Sequence, residues 1–306
     1  MKKNINSFSY CISFFLLFAL NACDNNEIIP DRTKNQLVGR GSFVFDSFAP
    51  LSNKPTNVHY YIPDSTNENS QILIVFHGGG RDPSQNRDSL IAKANQHGTI
   101  IVFPEFSEIN FPGGDGYNLG NMFIDGDNPS SSSSINEDQW AFSLVEPIFD
   151  QIKRLTGNIS STYNVFGFSA GAQFTHRFLF FKPEARLNKA VAAASGWYTL
   201  LDDQIDFPYG IKKSPIETFD LSSLYSKSLT ILIGESDNNP NAPGLRRNSF
   251  ADAQGTDRLS RAKFFYEQSH QKALSSTYNF SWDYVSLPNV GHSFLLSVEN
   301  AMDNIF

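Results

Sequence analysis

The sequence predicts an α/β protein built on one mostly parallel, doubly wound sheet of about eight strands, with helices on both faces. Short apolar runs alternate with amphipathic stretches, a pattern typical of buried strands joined by crossover helices. The 306 residues include 31 acidic and 24 basic side chains and only two cysteines. We therefore expect one domain that depends on its hydrophobic core, with an acidic surface that does not favour nucleic acid.

The first 22 residues have the layout of a secretory signal peptide. Lys2 and Lys3 precede the apolar run Ile12–Leu20, which is shorter than the ~20 apolar residues of a membrane-spanning helix. The run leads into Leu-Asn-Ala-Cys at residues 20–23, which resembles a bacterial lipobox. Cys23 is then expected to be lipidated and to anchor the protein to a membrane of the cell envelope. An ordinary signal peptide with a chance cysteine is the alternative.

Residues 23–40 are predicted to form a polar tether and residues 41–306 a single folded domain. The predicted strands are Gly41–Phe48, Val58–Ile62, Ile72–Phe76, Thr99–Phe103, Tyr163–Phe166, Ala190–Ala194, Leu229–Ile233 and Trp282–Leu287. The first two are expected to form an antiparallel pair. The predicted helices are Arg87–Gln96, Glu137–Leu155, Ala170–Phe181 and Asp257–Ala273. Two long irregular stretches, Asn110–Ile135 and Leu201–Ser223, are expected to lie over a functional site.

The strongest functional signal is a strand-to-helix turn with the sequence Gly167-Phe168-Ser169-Ala170-Gly171. Glycine is needed on both sides of the serine because larger side chains would clash in so sharp a turn. The turn would strain the serine backbone and expose its hydroxyl above the sheet, next to a helix N-terminus that favours negative charge. Ser169 is therefore predicted to be a nucleophile, Ala170 to supply one oxyanion N–H, and Phe168 to lie beside the substrate.

A second glycine-rich turn, His77-Gly78-Gly79-Gly80, follows the predicted strand Ile72–Phe76. Backbone N–H groups held close to a reacting carbonyl stabilise the charge on its oxygen by roughly 3–4 kcal/mol each. We predict that Gly78 or Gly79 supplies the second donor. The turn is not a phosphate-binding loop, because no Gly-Lys-Ser/Thr follows. His77 is expected to support the loop rather than to act as a base.

The predicted base and its acid lie late in the chain. Of the six histidines, only His292 is on a turn after a strand with glycine before it. A histidine base needs a carboxylate to fix its tautomer, and the loop after the strand Leu229–Ile233 supplies Asp237. Three other acids remain as alternatives: Glu235 at the strand end, Asp202 and Asp203.

Together these motifs resemble the α/β-hydrolase superfamily, in which the nucleophile, acid and base follow in that order along the chain. The compact size and the early oxyanion loop are similar to its polyhydroxybutyrate depolymerase and feruloyl-esterase-like branch. The resemblance runs from about residue 42 to the C-terminus. The chain differs from secreted depolymerases in having no disulfides and no recognisable substrate-binding domain, which argues against attack on insoluble polymer.

The resemblance implies hydrolysis of a small-molecule or carbohydrate-linked ester through an acyl-enzyme, without a metal or organic cofactor. Trp197 and Tyr198 follow the strand Ala190–Ala194, and they either line the substrate pocket or cap the core. Two other functions remain open. One is a serine peptidase on the same fold, although such enzymes usually carry a large extra domain. The other is a lipoprotein that binds a glycan or partner without catalysis, which the complete set of predicted catalytic residues disfavours.

Overall fold

A computed structural model describes residues 37–216 and 220–306, so the predicted signal peptide, Cys23 and most of the predicted tether lie outside the described residues. Eight strands form one sheet. Their bounds are β1 Gly39–Phe45, β2 Thr56–Ile62, β3 Ile72–Phe76, β4 Ile100–Pro104, β5 Tyr163–Phe168, β6 Leu187–Ala193, β7 Leu229–Gly234 and β8 Trp282–Leu287.

The described ranges also contain nine α-helices and three short 3-10 turns, and all of them except the last α-helix lie between strands. The α-helices are α1 Pro83–Ser89, α2 Ile91–His97, α3 Gly113–Gly116, α4 Val145–Thr156, α5 Ala170–Phe181, α6 Ser222–Tyr225, α7 Ser249–Ala253, α8 Arg258–Ser275 and α9 Phe294–Asn304. The 3-10 turns are Ala49–Leu51, Glu137–Gln139 and Ala141–Leu144. None of the helices in this part of the chain is long and apolar enough to cross a bilayer.

The order of strands across the sheet is β1-β2-β4-β3-β5-β6-β7-β8. β2 runs antiparallel to both β1 and β4, and all other neighbours are parallel. Every residue of β3, β4, β5 and β7 is buried, as expected for parallel strands covered on both faces. The predicted fold class is therefore confirmed, including the antiparallel opening pair.

The position of the functional site follows from the strand order. The chain moves from β3 to β4 in one direction across the sheet and from β5 to β6 in the other. Right-handed crossovers in opposite directions put their helices on opposite faces. Adjacent strands β3 and β5 thus form a switch point, and the crevice at their carboxyl ends is where open α/β sheets bind ligands.

Two predicted helices have different bounds in the structure. The predicted helix Arg87–Gln96 is two short helices, because Leu90 between them has φ −99° and ψ 0°. The predicted helix Glu137–Leu155 begins as two 3-10 turns separated by the extended residue Trp140, and its α-helical part starts at Val145. Helix α9 is not among the predicted helices.

Candidate active site

Ser169 lies between β5 and α5 with φ 56° and ψ −110°, a strained conformation for a residue with a side chain. Close backbone contacts hold the turn. A Cβ added to Gly167 would lie 2.1 Å from the Gly171 carbonyl oxygen, and one added to Gly171 would lie 2.1 Å from the Phe76 carbonyl oxygen. The Ser169 N–H donates to the Ala193 carbonyl oxygen of β6 at 2.9 Å. Only glycine fits at both flanking positions.

The side chains of β5 next to this turn alternate between the two faces of the sheet. Phe166 and Phe168 face α9, where the Phe294 ring lies 6.0 and 5.8 Å from theirs, centroid to centroid. Gly167 faces α5. This alternation follows from the pleat of the strand. It leaves Ser169 at the strand end, above the edge of the sheet.

The glycine-rich turn after β3 reaches the serine. The Phe76 position of β3 pairs with Gly167 of β5, so the two strand ends lie side by side. A Cβ added to Gly78 would lie 3.8 Å from the Ser169 Cβ, whereas one added to Gly79 would meet no atom within 4 Å. The structure therefore brings Gly78 next to Ser169 and leaves open space at Gly79. Ala170 is the first residue of α5, where helix N–H groups have no partner within the helix.

His77 holds this turn through both of its ring nitrogens. Nδ1 donates to the Gly78 carbonyl oxygen at 2.9 Å, and Nε2 accepts from the Phe106 N–H at 3.1 Å. The Tyr117 hydroxyl donates to the His77 carbonyl oxygen at 2.7 Å, and the two rings stack at 4.6 Å. Burial lowers the pKa of His77 to about 4. A neutral ring with both nitrogens bonded supports the loop and has no free position to accept a proton from Ser169.

His292 and Asp237 form a partly buried hydrogen bond at the carboxyl ends of β8 and β7. His292 Nδ1 lies 2.7 Å from Asp237 Oδ2, and the Asp237 side chain is 4% exposed. Because a carboxylate only accepts, Nδ1 carries the proton and Nε2 is left to accept one. The His292 ring also lies 4.6 Å from the Phe168 ring, centroid to centroid, which places the imidazole beside the nucleophile turn.

The alternative acids do not contact His292. Glu235 is exposed and accepts a hydrogen bond from the Ser286 hydroxyl at 2.8 Å. Asp202 and Asp203 accept from the backbone and the side-chain amide of Gln204. Asp237 is thus the carboxylate that the structure brings to the imidazole.

Arg258, the first residue of α8, was missed by sequence reasoning. Its Nη1 donates to Asp237 Oδ1 at 3.3 Å, and the two side chains are 5% and 4% exposed. The next residue of the helix, Leu259, donates its N–H to the Asp237 carbonyl oxygen at 3.1 Å. The acid is therefore held through its backbone and through the carboxylate oxygen that His292 does not use. No local motif marks Arg258, because it comes 21 residues after Asp237.

The predicted pocket residues separate into two groups. Phe168 lies at the site, with its ring against His292. Tyr198 is fully buried and its ring stacks on Phe265 at 4.3 Å, so it caps the core, which is the second alternative stated for it. Trp197 is 3% exposed, and the Arg177 guanidinium lies 4.2 Å from its ring centroid. It also packs in the interior rather than presenting an open face.

The sheet order and the strand–serine–helix turn define an α/β-hydrolase fold. Solved structures agree. Poly(aspartic acid) hydrolase-1 from Sphingomonas sp. KT-1 is 37% identical to this chain with a TM-score of 0.82, and the match covers 88% of this chain and 98% of that one. The poly(3-hydroxybutyrate) depolymerase LpqC from Bordetella parapertussis is 28% identical to this chain with a TM-score of 0.81. That match covers 88% of this chain and 90% of the depolymerase.

A more distant likeness supports the fold alone. The S-formylglutathione hydrolase FrmB from Staphylococcus aureus is 14% identical with a TM-score of 0.55, over 87% of this chain and 97% of that one. No protein-family profile and no curated protein matches the sequence. The chain belongs to the α/β-hydrolase superfamily, and the match to the Sphingomonas enzyme shows this. It is accordingly a hydrolase.

Proposed function

We propose that the protein is a serine hydrolase that cleaves carboxylic esters through an acyl-enzyme. Ser169 is the nucleophile, His292 the general base and Asp237 the acid that orients it. The observation that carries the proposal is the 2.7 Å bond between His292 Nδ1 and Asp237 Oδ2. It lies at the same edge of the sheet as a serine in strained backbone geometry. These are the parts that a serine hydroxyl needs to become a nucleophile.

The proposed reaction has two acyl transfers. His292 Nε2 accepts the Ser169 proton as Ser169 Oγ attacks the ester carbonyl. The tetrahedral oxyanion accepts hydrogen bonds from the N–H of Ala170 and of Gly78 or Gly79. The C–O bond then breaks, and the leaving alkoxide takes the proton from His292. Water attacks the acyl-enzyme with His292 again as base, releasing the acid and restoring the serine.

The direct test is hydrolysis of p-nitrophenyl butyrate by the wild type and by Ser169→Ala. We expect the variant to lose activity and to keep its melting temperature within a few degrees, because alanine keeps the Cβ and the backbone conformation of the serine and opens no core cavity. A folded Ser169→Ala variant with wild-type turnover would contradict the proposal. It would favour the non-catalytic binding role instead.

An amide substrate is a second candidate, and one observation favours it. The 37% identical Sphingomonas protein is described as a hydrolase of poly(aspartic acid), a polymer linked by amide bonds. The same serine, histidine and aspartate can attack an ester or an amide. Size-exclusion chromatography of soluble poly(aspartic acid) and of 3-hydroxybutyrate oligomers after incubation would separate the two. Shortening of poly(aspartic acid) alone would favour the amide.

We further propose that the protein is a lipoprotein of the cell envelope, anchored through Cys23. The Leu-Asn-Ala-Cys sequence at residues 20–23 supports this. Cys23→Ser should abolish incorporation of labelled palmitate. Unchanged labelling of the variant would count against the anchor without bearing on the catalytic proposal.

A further inference from the structure

Arg81 closes the glycine-rich turn that follows β3 and lies next to Ser169. The Arg81 N–H donates to the Gly78 carbonyl oxygen at 3.1 Å, and Arg81 has a φ of 53°. None of Gly78, Gly79 and Gly80 has a φ in this left-handed region. A left-handed φ costs a residue with a side chain free energy that glycine avoids. The contacts of the arginine side chain therefore have to offset this cost.

The Arg81 guanidinium binds the backbone of the segment that follows β4, and the side chain is only 12% exposed. Its Nη1 donates to the carbonyl oxygens of Phe106 and, at 2.7 Å, of Phe111. Its Nη2 donates to the Gly113 carbonyl oxygen at 2.9 Å and lies 3.0 Å from a carboxylate oxygen of the exposed Glu108. Three backbone carbonyl groups thus converge on one cation, so Arg81 ties the glycine-rich turn to this segment.

The other end of the turn is tied to the same part of the chain through His77. The Phe106 N–H donates to His77 Nε2, and the Tyr117 hydroxyl donates to the His77 carbonyl oxygen. The Tyr117 ring also faces the Arg81 guanidinium, 5.2 Å from centroid to Cζ. His77 and Arg81 therefore flank the three glycines and share their neighbours. Without the Arg81 side chain, the glycines, which have more backbone freedom than any other residue, would be anchored by a side chain at one end only.

An oxyanion donor is effective only when its N–H is held where the charge develops, and a misplacement of about 1 Å can cost on the order of 10²-fold in rate. We propose that Arg81 is a positioning residue of the oxyanion site, which holds the turn so that the N–H of Gly78 or Gly79 faces the oxyanion. Arg81 is not itself the donor, because the Gly78 carbonyl oxygen accepts its N–H and the segment after β4 accepts from its guanidinium. This proposal rests on the proposed function, because it concerns the same reaction.

The test compares p-nitrophenyl butyrate with its thionoester, in which sulfur replaces the carbonyl oxygen. Sulfur is a weak hydrogen-bond acceptor, so the thionoester gains little from well-placed N–H donors. Alkaline hydrolysis gives the intrinsic ratio of the two rates, and any further preference of the enzyme for the ester measures the oxyanion site. Release of p-nitrophenol with the enzyme in excess makes slow reaction of the thionoester measurable.

In Arg81→Met we expect kcat for the ester to fall by about 10- to 100-fold with KM nearly unchanged, and the ester preference to fall by about 10-fold. Arg81→Lys keeps the cation but lacks the planar fork that reaches several carbonyl groups, so it should give a smaller loss of both. Asp237→Asn is the comparison, because it impairs the base and not the donors. It should lower both rates and keep the ester preference.

Two controls separate positioning from a change of surface charge. Arg154→Met, at an exposed position of α4, is matched to Arg81→Met and should leave both rates and their ratio at the wild-type values. Glu108→Gln removes only the exposed partner of the Arg81 guanidinium. It should change either rate by less than about threefold, because exposed ion pairs contribute little.

The outcomes separate this proposal from the proposed function. A folded Arg81→Met protein that kept the wild-type ester preference would overturn the positioning role, whatever its total activity, and would leave the ester hydrolase standing. If the methionine variant does not fold, Arg81→Lys decides by the same criterion. A wild type without ester preference beyond the intrinsic ratio would also overturn the role. A wild type that hydrolyses neither compound would instead contradict the proposed function.

Discussion

Ser169 and His292 lie at the same edge of the sheet, but the structure holds them in different ways. The serine is held by backbone: flanking glycines allow chain segments to approach within a distance that no other residue permits. The histidine is held by side chains: its Nδ1 bonds to Asp237, and Asp237 in turn bonds to Arg258. Single substitutions in the histidine half should therefore lower activity by different amounts. In the serine half, few substitutions should be compatible with the folded turn.

The two halves also differ in how far apart their parts lie in the sequence. The nucleophile turn consists of consecutive residues 167–171. Asp237 and His292 are 55 residues apart, with Arg258 between them. A local motif can specify the first arrangement, whereas the second exists only after β7, α8 and β8 have packed together.

Within the histidine half, removing the charge of Asp237 should cause the largest loss of activity. Asp237→Asn is expected to lower kcat by about 10⁴-fold, because an amide can donate to Nδ1 and hold the imidazole in the wrong tautomer. Steady-state kinetics on p-nitrophenyl butyrate measure this loss. Glu235→Gln is the matched control, and it should cost less than about threefold because Glu235 contacts Ser286 and not His292. Reversed results would move the acid role to Glu235.

Arg258→Met should have a smaller effect. The change frees one oxygen of Asp237, and we expect kcat to fall by about 10- to 100-fold through misplacement of the acid, with KM nearly unchanged. Stability should also fall by about 3 kcal/mol, because Asp237 is left buried without its cation. Arg258→Lys keeps the charge and should recover part of kcat. If kcat stayed at the wild-type value while stability fell, Arg258 would serve the fold alone.

In the serine half, the buried ring of His77 should make the stability of the fold depend on pH. His77 is neutral in the fold, with a pKa lowered to about 4 from 6.5 by burial. The unfolded chain therefore binds more protons between these values, so this contribution to stability is complete above pH 6.5 and is lost as pH falls towards 4. From pH 7.5 to pH 5 the loss is about 2 kcal/mol from this residue. His176, also buried with a lowered pKa, acts in the same direction.

Urea unfolding at pH 7.5 and pH 5 measures this dependence. His77→Asn should be less stable than the wild type at pH 7.5 and should lose less stability on acidification. His97→Gln, at an exposed ion pair with Asp303, is the control for a histidine outside the site. An unchanged pH dependence in the His77 variant would show that another group is responsible.

The sequence predicts the parts of this protein that depend on near neighbours. Helix α5 has the predicted bounds, because an apolar stretch follows directly on the glycine-flanked turn. The break at Leu90 was not predicted, since neither glycine nor proline marks it. Arg258 was not predicted as a site residue, because its role depends on Asp237 being brought against it. The sequence also left open whether Tyr198 lines the pocket or caps the core, because its burial depends on the packing of α8 against it.

The central claim is that Ser169 is the nucleophile activated by His292 and Asp237. A fluorophosphonate probe phosphonylates only an activated serine, and peptide mass spectrometry locates the adduct. We expect one equivalent of label on Ser169 in the wild type, none in Ser169→Ala, and slower labelling in Asp237→Asn. A folded wild-type protein that stays unlabelled, or that carries the label on another serine, would contradict the account.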